Sequence, residues 1–372
     1  LNGGALFSRG DRLVQPDLAR TLRAIAEHGA DGFYKGPVAD LIVAEMQRTG
    51  GLISKDDLAA YTPVERETVR GTYRGHDIIS MPPVSSGGIA LIQTLNILEG
   101  FALGTFGAHS SKSVHHIAEA TRRVYADRSE WLGDPSFFKV PMSGLTSKKY
   151  AEALRATIDP QHATLSTAVK PGAPRQYESD QTTHYSVIDA EGIAVSTTTT
   201  INGGYGNGQT VTGAGFLLNN EMDDFSAKPG VPNMFGVIGG VANEVQPGKR
   251  MLSSMTPTII AKDGKPFLVV GSPGGSRIIT TVLQVVLNVI DYGMDVQEAV
   301  DAPRFHHQWL PDELRIERRG FPVDVVKALE ALGHKVTAQG DMGDVHAIWI
   351  DPKTGMRYGA SDPRLDGRTI GY

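Results

Sequence analysis

Apolar positions recur at helical spacing through the first half of the chain and give way to short alternating runs in the second. Leu18, Leu22 and Ile25 share one face over residues 16–28, and Gly29 is placed to end that helix. Val38, Leu41, Ile42, Ala44 and Met46 predict a second helix over 37–48, inside which they face the core, with Gly50-Gly51 beyond it. Ser54 with Asp57 three residues on is a helix-start signal for a short third helix ending near Tyr61. Strands are expected over 67–73 and 77–80, joined across Arg74-Gly75-His76. A strongly apolar helix over 89–99 follows the turn Met81-Pro82-Pro83-Val84-Ser85-Ser86-Gly87-Gly88. Glycines ahead of a helix can offer backbone N–H groups to an anion, but close packing of that helix is the preferred reading. A long helix is expected over 113–132. Residues 158–181 mix Pro160, Pro171, Gly172 and Pro174 with scattered Ser and Thr, without periodicity, and read as a flexible linker.

The pattern changes at Thr182. Residues 184–189 and 192–199 predict a hairpin around Ala190-Glu191-Gly192, and 256–262 with 266–271 predict another. Residues 278–290 are almost all apolar, hence a helix buried between layers. A helix over 322–332 and strands over 335–338 and 345–350 complete the chain. Antiparallel hairpins covered by a buried helix predict an α+β fold.

Composition narrows the function classes. A net charge of -5 over 372 residues argues against a nucleic-acid binder, which would carry a basic face. No apolar run is long enough to span a bilayer. The start Leu1-Asn2-Gly3-Gly4 has no initiator Met and no signal-peptide pattern, so a fragment or processed product is expected. With no cysteines there is no thiol nucleophile, disulfide or thiolate metal site. His115-His116 and His306-His307 are adjacent pairs without zinc-motif spacing, and a structural role is expected for both; no metal or cofactor is expected. The 43 glycines cluster between residues 192 and 276, pointing to backbone chemistry in the second half.

Common nucleophile and cofactor motifs are missing. There is no G-x-S-x-G, no H-E-x-x-H, no complete P-loop and no G-x-G-x-x-G after a strand. What remains are polar stretches, each with a bland alternative: Thr182-Thr183-His184, residues 197–202, Asp223-Asp224-Phe225-Ser226, Ser253-Ser254, and Gly271-Ser272-Pro273-Gly274-Gly275-Ser276. Thr197 to Thr200 can be β-branched strand residues, Asp223-Asp224 a turn, and Gly274-Gly275 a helix start.

Together and in this order the stretches resemble the γ-glutamyltranspeptidase family, over essentially the whole chain. Thr182-Thr183-His184-Tyr185 matches the start of its small subunit, Asp223-Asp224-Phe225-Ser226 its substrate-amine motif, and residues 271–277 its oxyanion loop. The resemblance implies a four-layer αββα sandwich of the N-terminal nucleophile hydrolase type, made by self-cleavage of one precursor. Cleavage between Gln181 and Thr182 would give a helical piece, 1–181, and a small subunit, 182–372, intertwined in one domain. Thr182 would act as nucleophile with its own α-amine as base, since an α-amino group titrates near 8. Thr200 would hydrogen-bond the nucleophile, and Gly274 and Gly275 would hold the oxyanion. Asp224, Glu221 and Asn202 would face the substrate amine, and Ser253 and Ser254 its α-carboxylate.

The same resemblance implies glutathione and other γ-glutamyl compounds as substrates, water or amino acid and dipeptide amines as acceptors, and a periplasmic or secreted location. A related cephalosporin or glutaryl acylase and an inactive truncated scaffold are the alternatives. Two departures stand out. Phe235 occupies a lid position where members often carry Tyr, so closure is expected to be looser. The family's large subunit is also about twice as long as the 181 residues before Thr182, and its missing part includes the arginine that pairs with the substrate carboxylate.

Overall fold

The computed structural model describes residues 4–174, 188–189, 191–365 and 367–371. The chain divides into two compact units, Leu1–Glu65 with Thr200–Glu221, and Arg66–Thr199 with Met222–Tyr372.

The first unit contains α1 (Pro16–His28), α2 (Asp31–Tyr34), α3 (Gly36–Thr49) and α4 (Lys55–Ala60). Prolines in the first turns of α1 and α3 suit positions where a missing N–H costs no helical bond. Ser54 and Asp57 form a reciprocal capping box on α4, as their spacing predicts. Val38, Ala39, Ile42 and Leu58 make a small core with Val211 and Ala214. Two inward assignments need correction. Leu22 stays 56% exposed, while Thr21 turns inward and donates to the Ala214 carbonyl at 2.8 Å. Ala44 is exposed, and the buried neighbour is Glu45, which accepts from Gln209 Nε2 at 3.1 Å and pairs with Arg48. Polar partners across the unit, not apolar spacing, decide which residue turns in.

The second unit begins with β1 (Val69–Tyr73) and β2 (His76–Ser80), then α5 (Gly87–Leu98), α6 (Leu103–Phe106), α7 (Ser111–Trp131), α8 (Met142–Leu145) and α9 (Lys148–Arg155). It resumes with β3 (Thr258–Lys262), β4 (Lys265–Gly271), α10 (Ile278–Ile290), α11 (Val296–Asp301), β5 (Phe305–His306) and β6 (Leu314–Glu317). Helix α12 (Val323–Ala331) and strands β7 (Val336–Gln339), β8 (His346–Ile350) and β9 (Arg357–Ser361) close it. Six strands form one antiparallel sheet in the order β1-β2-β3-β4-β8-β9, and β5-β6-β7 form a second.

Register sorts the large sheet into two faces. Ile78 pairs with Ile260, and Ile260 with Leu268; all three join the main core with α5 and α10. Ile259 and Val269, also paired, face the other way and pack with Ala194 and Ile188. Every residue of α5 is buried, so it has no polar face to pattern. The α+β expectation therefore holds, with a helix layer on one sheet face and Ile188 and Ala194 on the other. Of the hairpin expected over 184–199, residues 184–187 lie outside the described set, and 193–199 form no strand ladder. Ala190 of the expected turn also lies outside the described residues; beside it, Asp189 Oδ1 accepts from Glu191 N at 2.8 Å and Ile193 N at 3.1 Å.

Residues 158–174 contain no helix or strand beyond single turns, as their composition predicts, yet they are not loose. The Glu119 carboxylate accepts from Thr164 N at 3.2 Å, and Asp127 accepts from Gly172 N at 2.7 Å. Buried side chains tie down what lack of periodicity alone reads as flexible.

Candidate active site

The second unit builds three loops around the mouth of its sheet. The first leaves β4 at Gly271 and re-enters helix through the 3-10 turn Gly275–Arg277 ahead of α10. Gly274 has φ 138° and Gly275 φ 59°, conformations that L side chains avoid. A Cβ on Gly275 would also lie 2.6 Å from the Phe235 ring. Glycine is thus required twice over. The turn is fixed from below: Ser276 Oγ donates to Gln308 Oε1 at 2.8 Å, and Tyr125 OH on α7 donates to the Ser276 carbonyl.

The second loop carries Ser253 and Ser254 into β3. Ser253 N donates to the Val84 carbonyl at 2.9 Å and the Ser253 carbonyl accepts from Ser86 N at 2.9 Å, so residues 84–86 brace the serines. A Cβ on Gly87 would lie 2.2 Å from the Met255 carbonyl. The glycines before α5 therefore serve close packing. Arg128, buried on α7, donates through Nε to Ser86 Oγ at 2.9 Å and through Nη2 to Ser254 Oγ at 3.0 Å. Ser253 Oγ accepts from Met255 N at 3.0 Å. Because both hydroxyl oxygens accept, each serine keeps its own proton to donate. The pair presents two hydroxyl donors beside a buried cation. Burial pulls the Arg128 guanidinium below its usual range, opposed by Tyr125 and Asp224.

The third loop bears the acids. Asp224 ends the 3-10 turn Glu221–Asp224, and Asn243 Nδ2 donates to its carbonyl at 2.7 Å. The same Asn243 accepts Leu252 N at 3.0 Å, so one buried amide spans the acid loop and the residue before the serines. Asn233 Nδ2 reaches Asp224 Oδ1 at 3.4 Å, while Asp223 accepts Met234 N at 2.9 Å. Phe235 is held by Gln308 Nε2 on its carbonyl at 3.1 Å.

The first unit gathers Thr200, Asn202 and Glu221. Asn202 adopts φ 71°, its N–H donates to Thr200 Oγ1 at 2.8 Å, and its amide donates to the Asn220 carbonyl at 3.3 Å. Asn219 accepts Glu221 N at 2.9 Å. Burial pushes the Glu221 carboxyl up. Thr182, with Gln181, Thr183 and His184, lies outside the described residues.

His306 is buried between Thr280 Oγ1 and Gln308 Oε1, and burial lowers it to about 3 and His307 to about 4. Both are neutral framework residues at neutral pH. His115 joins His334 at 2.8 Å, and His116 bonds the Lys112 carbonyl at 2.7 Å, again structural. Among the described residues no cluster of His and acids could hold a metal ion. Sequence reasoning missed Arg128, Asn243 and Gln308. Arg128 and Gln308 sit among other polar residues, so their sequence neighbourhoods carried no signal, and only Asn243, in a largely apolar and glycine stretch, stood out.

Similarity to known proteins defines the class first. The fold superimposes on a cephalosporin acylase from Bacillus halodurans with a TM-score of 0.84, covering 100% of this chain and 66% of that one at 29% identity. Residues 1–372 match the gamma-glutamyltranspeptidase family profile, and the chain belongs to that family. It is 56% identical over 370 residues to a glutathione hydrolase proenzyme of Escherichia coli (strain K12), covering 99% of this chain and 63% of that protein. It is 40% identical over 371 residues to an acylase ACY 1 proenzyme of Pseudomonas sp. (strain SE83), covering 100% and 63% respectively. The chain thus spans slightly less than two thirds of these relatives.

Proposed function

We propose that the chain carries the catalytic machinery of a self-processing γ-glutamyltransferase and glutathione hydrolase. The observation that bears most weight is the pairing, through Asn243, of an acid loop with two hydroxyl donors above Arg128. A γ-glutamyl group presents a free α-amine and α-carboxylate, and needs an acid on one side and donors on the other. Asp224 takes the amine, with Glu221 and Asn202 contributing, and Ser253 and Ser254 take the carboxylate. An acylase substrate bears no α-amine for Asp224 to meet, and the presence of this acid beside the serine pair supports the γ-glutamyl reading over the acylase one.

In this reading the bond between Gln181 and Thr182 breaks, giving pieces 1–181 and 182–372 that remain together as a heterodimer. The freed α-amine of Thr182 takes the proton from its own hydroxyl, and the oxygen attacks the γ-carbonyl carbon. Thr200 hydrogen-bonds the nucleophile. The Gly274 and Gly275 N–H groups hold the tetrahedral oxyanion; losing one such donor costs about 3–4 kcal/mol of barrier. The leaving amine departs with the proton, and water or an amino acid or dipeptide amine attacks the resulting ester. Phe235 closes over the pocket. Glutathione and similar γ-glutamyl compounds are the donors, and the compartment is periplasmic or extracellular. No described helix is long and apolar enough to cross a membrane.

Intact mass spectrometry tests the reading. The chain should split into two pieces with Thr182 leading the smaller one, and Thr182→Ala should stay whole. A chain that neither splits nor releases product from a γ-glutamyl anilide sinks it. Prompt turnover of a glutaryl amide with none of the γ-glutamyl compound would favour an acylase.

A further inference from the structure

Helix α7 is almost wholly buried and yet carries Glu119, Arg122, Arg123, Asp127 and Arg128. Arg128 serves the serine pair. The remaining four are spaced to share one helical face, and each grips the segment that follows α9. Arg123 Nη2 donates to the Thr157 carbonyl at 2.7 Å. Glu119 accepts Thr164 N at 3.2 Å and its hydroxyl at 2.5 Å. Arg122 donates to Ser166 Oγ, whose own N–H donates to Asp312 at 2.7 Å. Asp127 accepts Gly172 N at 2.7 Å, and Trp131 Nε1 donates to the Gly172 carbonyl at 3.1 Å. From Thr164 onward the segment follows α7 in the same direction. At its end a Cβ on Gly144 would lie 2.0 Å from the Pro174 carbonyl.

A loop crossing a surface can satisfy its backbone with water. Burying four charges to hold one costs desolvation, and such networks contribute position more than stability. Only seven residues separate Pro174 from Gln181, so the 181–182 bond lies within about 25 Å of a fixed point.

We propose that this polar face of α7 is a positioning device for self-cleavage, strapping residues 157–174 so that the chain departs toward the 181–182 bond from a set place. The inference rests on the cleavage reading above. Trp309 Nε1 adds a second hold, donating to the Ser166 carbonyl at 2.8 Å and the Val169 carbonyl at 3.2 Å. Without the α7 bonds and this one the bond would be tethered from Thr157, more than three times farther along the chain, and loop-closure scaling makes its meeting with any fixed group about sixfold rarer.

The test is the rate of appearance of the Thr182-led piece in strap variants of this chain, followed by intact mass, with anilide hydrolysis normalised to the cleaved fraction. Gly172→Ala places a Cβ 2.0 Å from Tyr150 OH and pushes the strap off its end. It should slow cleavage about twofold, and combining it with Ser166→Ala and Trp309→Phe, which leaves Thr164 as the last anchor on α7, about fourfold. Adding Tyr150→Phe to Gly172→Ala moves the nearest atom out to 2.9 Å and should restore part of the rate. Hydrolysis per cleaved molecule should stay at the wild-type value throughout. Cleavage at the wild-type rate in the triple variant, or activity per cleaved molecule falling in parallel, overturns the strap. A wild-type chain that never cleaves overturns the Thr182 reading instead.

Discussion

Each of the two units fixes its own candidate residues by a different means. In the first, Thr200 accepts from Asn202 N, the Asn202 amide donates to the Asn220 carbonyl and Asn219 accepts Glu221 N, all within a loop that is largely half-buried or exposed. In the second, Ser254, Asp224 and the Gly274-Gly275 turn are set by buried Arg128, Asn243 and Gln308, which are distant in sequence. Local bridges tolerate change in the surrounding fold. Long-range buried ones fail together when one partner is removed, because each leaves desolvated groups behind.

The contrast can be broken first at Arg128. Arg128→Met removes the charge beneath Ser254, and hydrogen bonds to charged groups are worth about 1.5–3 kcal/mol. The kcat/KM for a γ-glutamyl donor should fall roughly 10- to 100-fold, mainly through KM. Arg128→Lys should fall less, keeping charge without the fork; an unchanged KM in the Met variant refutes the anion-site assignment. Next, Asn243→Ala should lower stability by about 2 kcal/mol in urea titration, since both the Asp224 carbonyl and Leu252 N–H lose their partner. A change under half that would show that the two loops are held independently.

In the first unit, Asn202 calls for a smaller test. Its φ of 71° makes Asn202→Ala less stable than Asn202→Gly by about 1 kcal/mol. Equal melting curves would contradict the left-handed conformation. The smallest effect concerns pH, where the units should differ in sign. Hydrogen bonds from Arg48 and then Gln209 hold Glu45 down to about 2, so its contribution is present above about 4.5 and lost as pH falls toward 2. Burial raises Asp127 to about 6, against which the Gly172, Tyr150 and Gln93 bonds work. Its contribution is full below about 4 and is lost as pH rises through 6. Hydrogen exchange between pH 7 and pH 4 should show α3 loosening while the buried amides of α7 around Asp127 become better protected. Parallel shifts in both would remove the contrast.

Much of the framework was legible in sequence for one reason: helices α3, α7 and α10 and the Ser54 capping box depend on residues within a turn or two. The Asp295 and Glu298 box that opens α11 was equally local and was passed over. Strand β9 was local too, pairing with β8 across the turn at 351–356, whereas β6 is short and pairs in parallel with β7 across α12, which leaves no turn signal between them. The glycine turn and the serine pair were recognisable as motifs, whereas Arg128 became visible only when α7 was laid beside residues 253–254. The fixed course of residues 158–174 was hidden because its anchors are charges on a helix begun nearly fifty residues earlier.

Helix α7 also limits how this sequence can vary. Asp127 and Arg128 are neighbours that serve opposite clients, the strap and the serines. An α-helix turns about 100° per residue, so inserting one residue upstream would swing Asp127 into the sector of Arg128, and deleting one would swing Arg128 into that of Asp127. Point changes along α7 can be absorbed one at a time, but its length cannot drift. Among descendants of this chain, the helix should accumulate substitutions while insertions and deletions are confined to the loops at its ends.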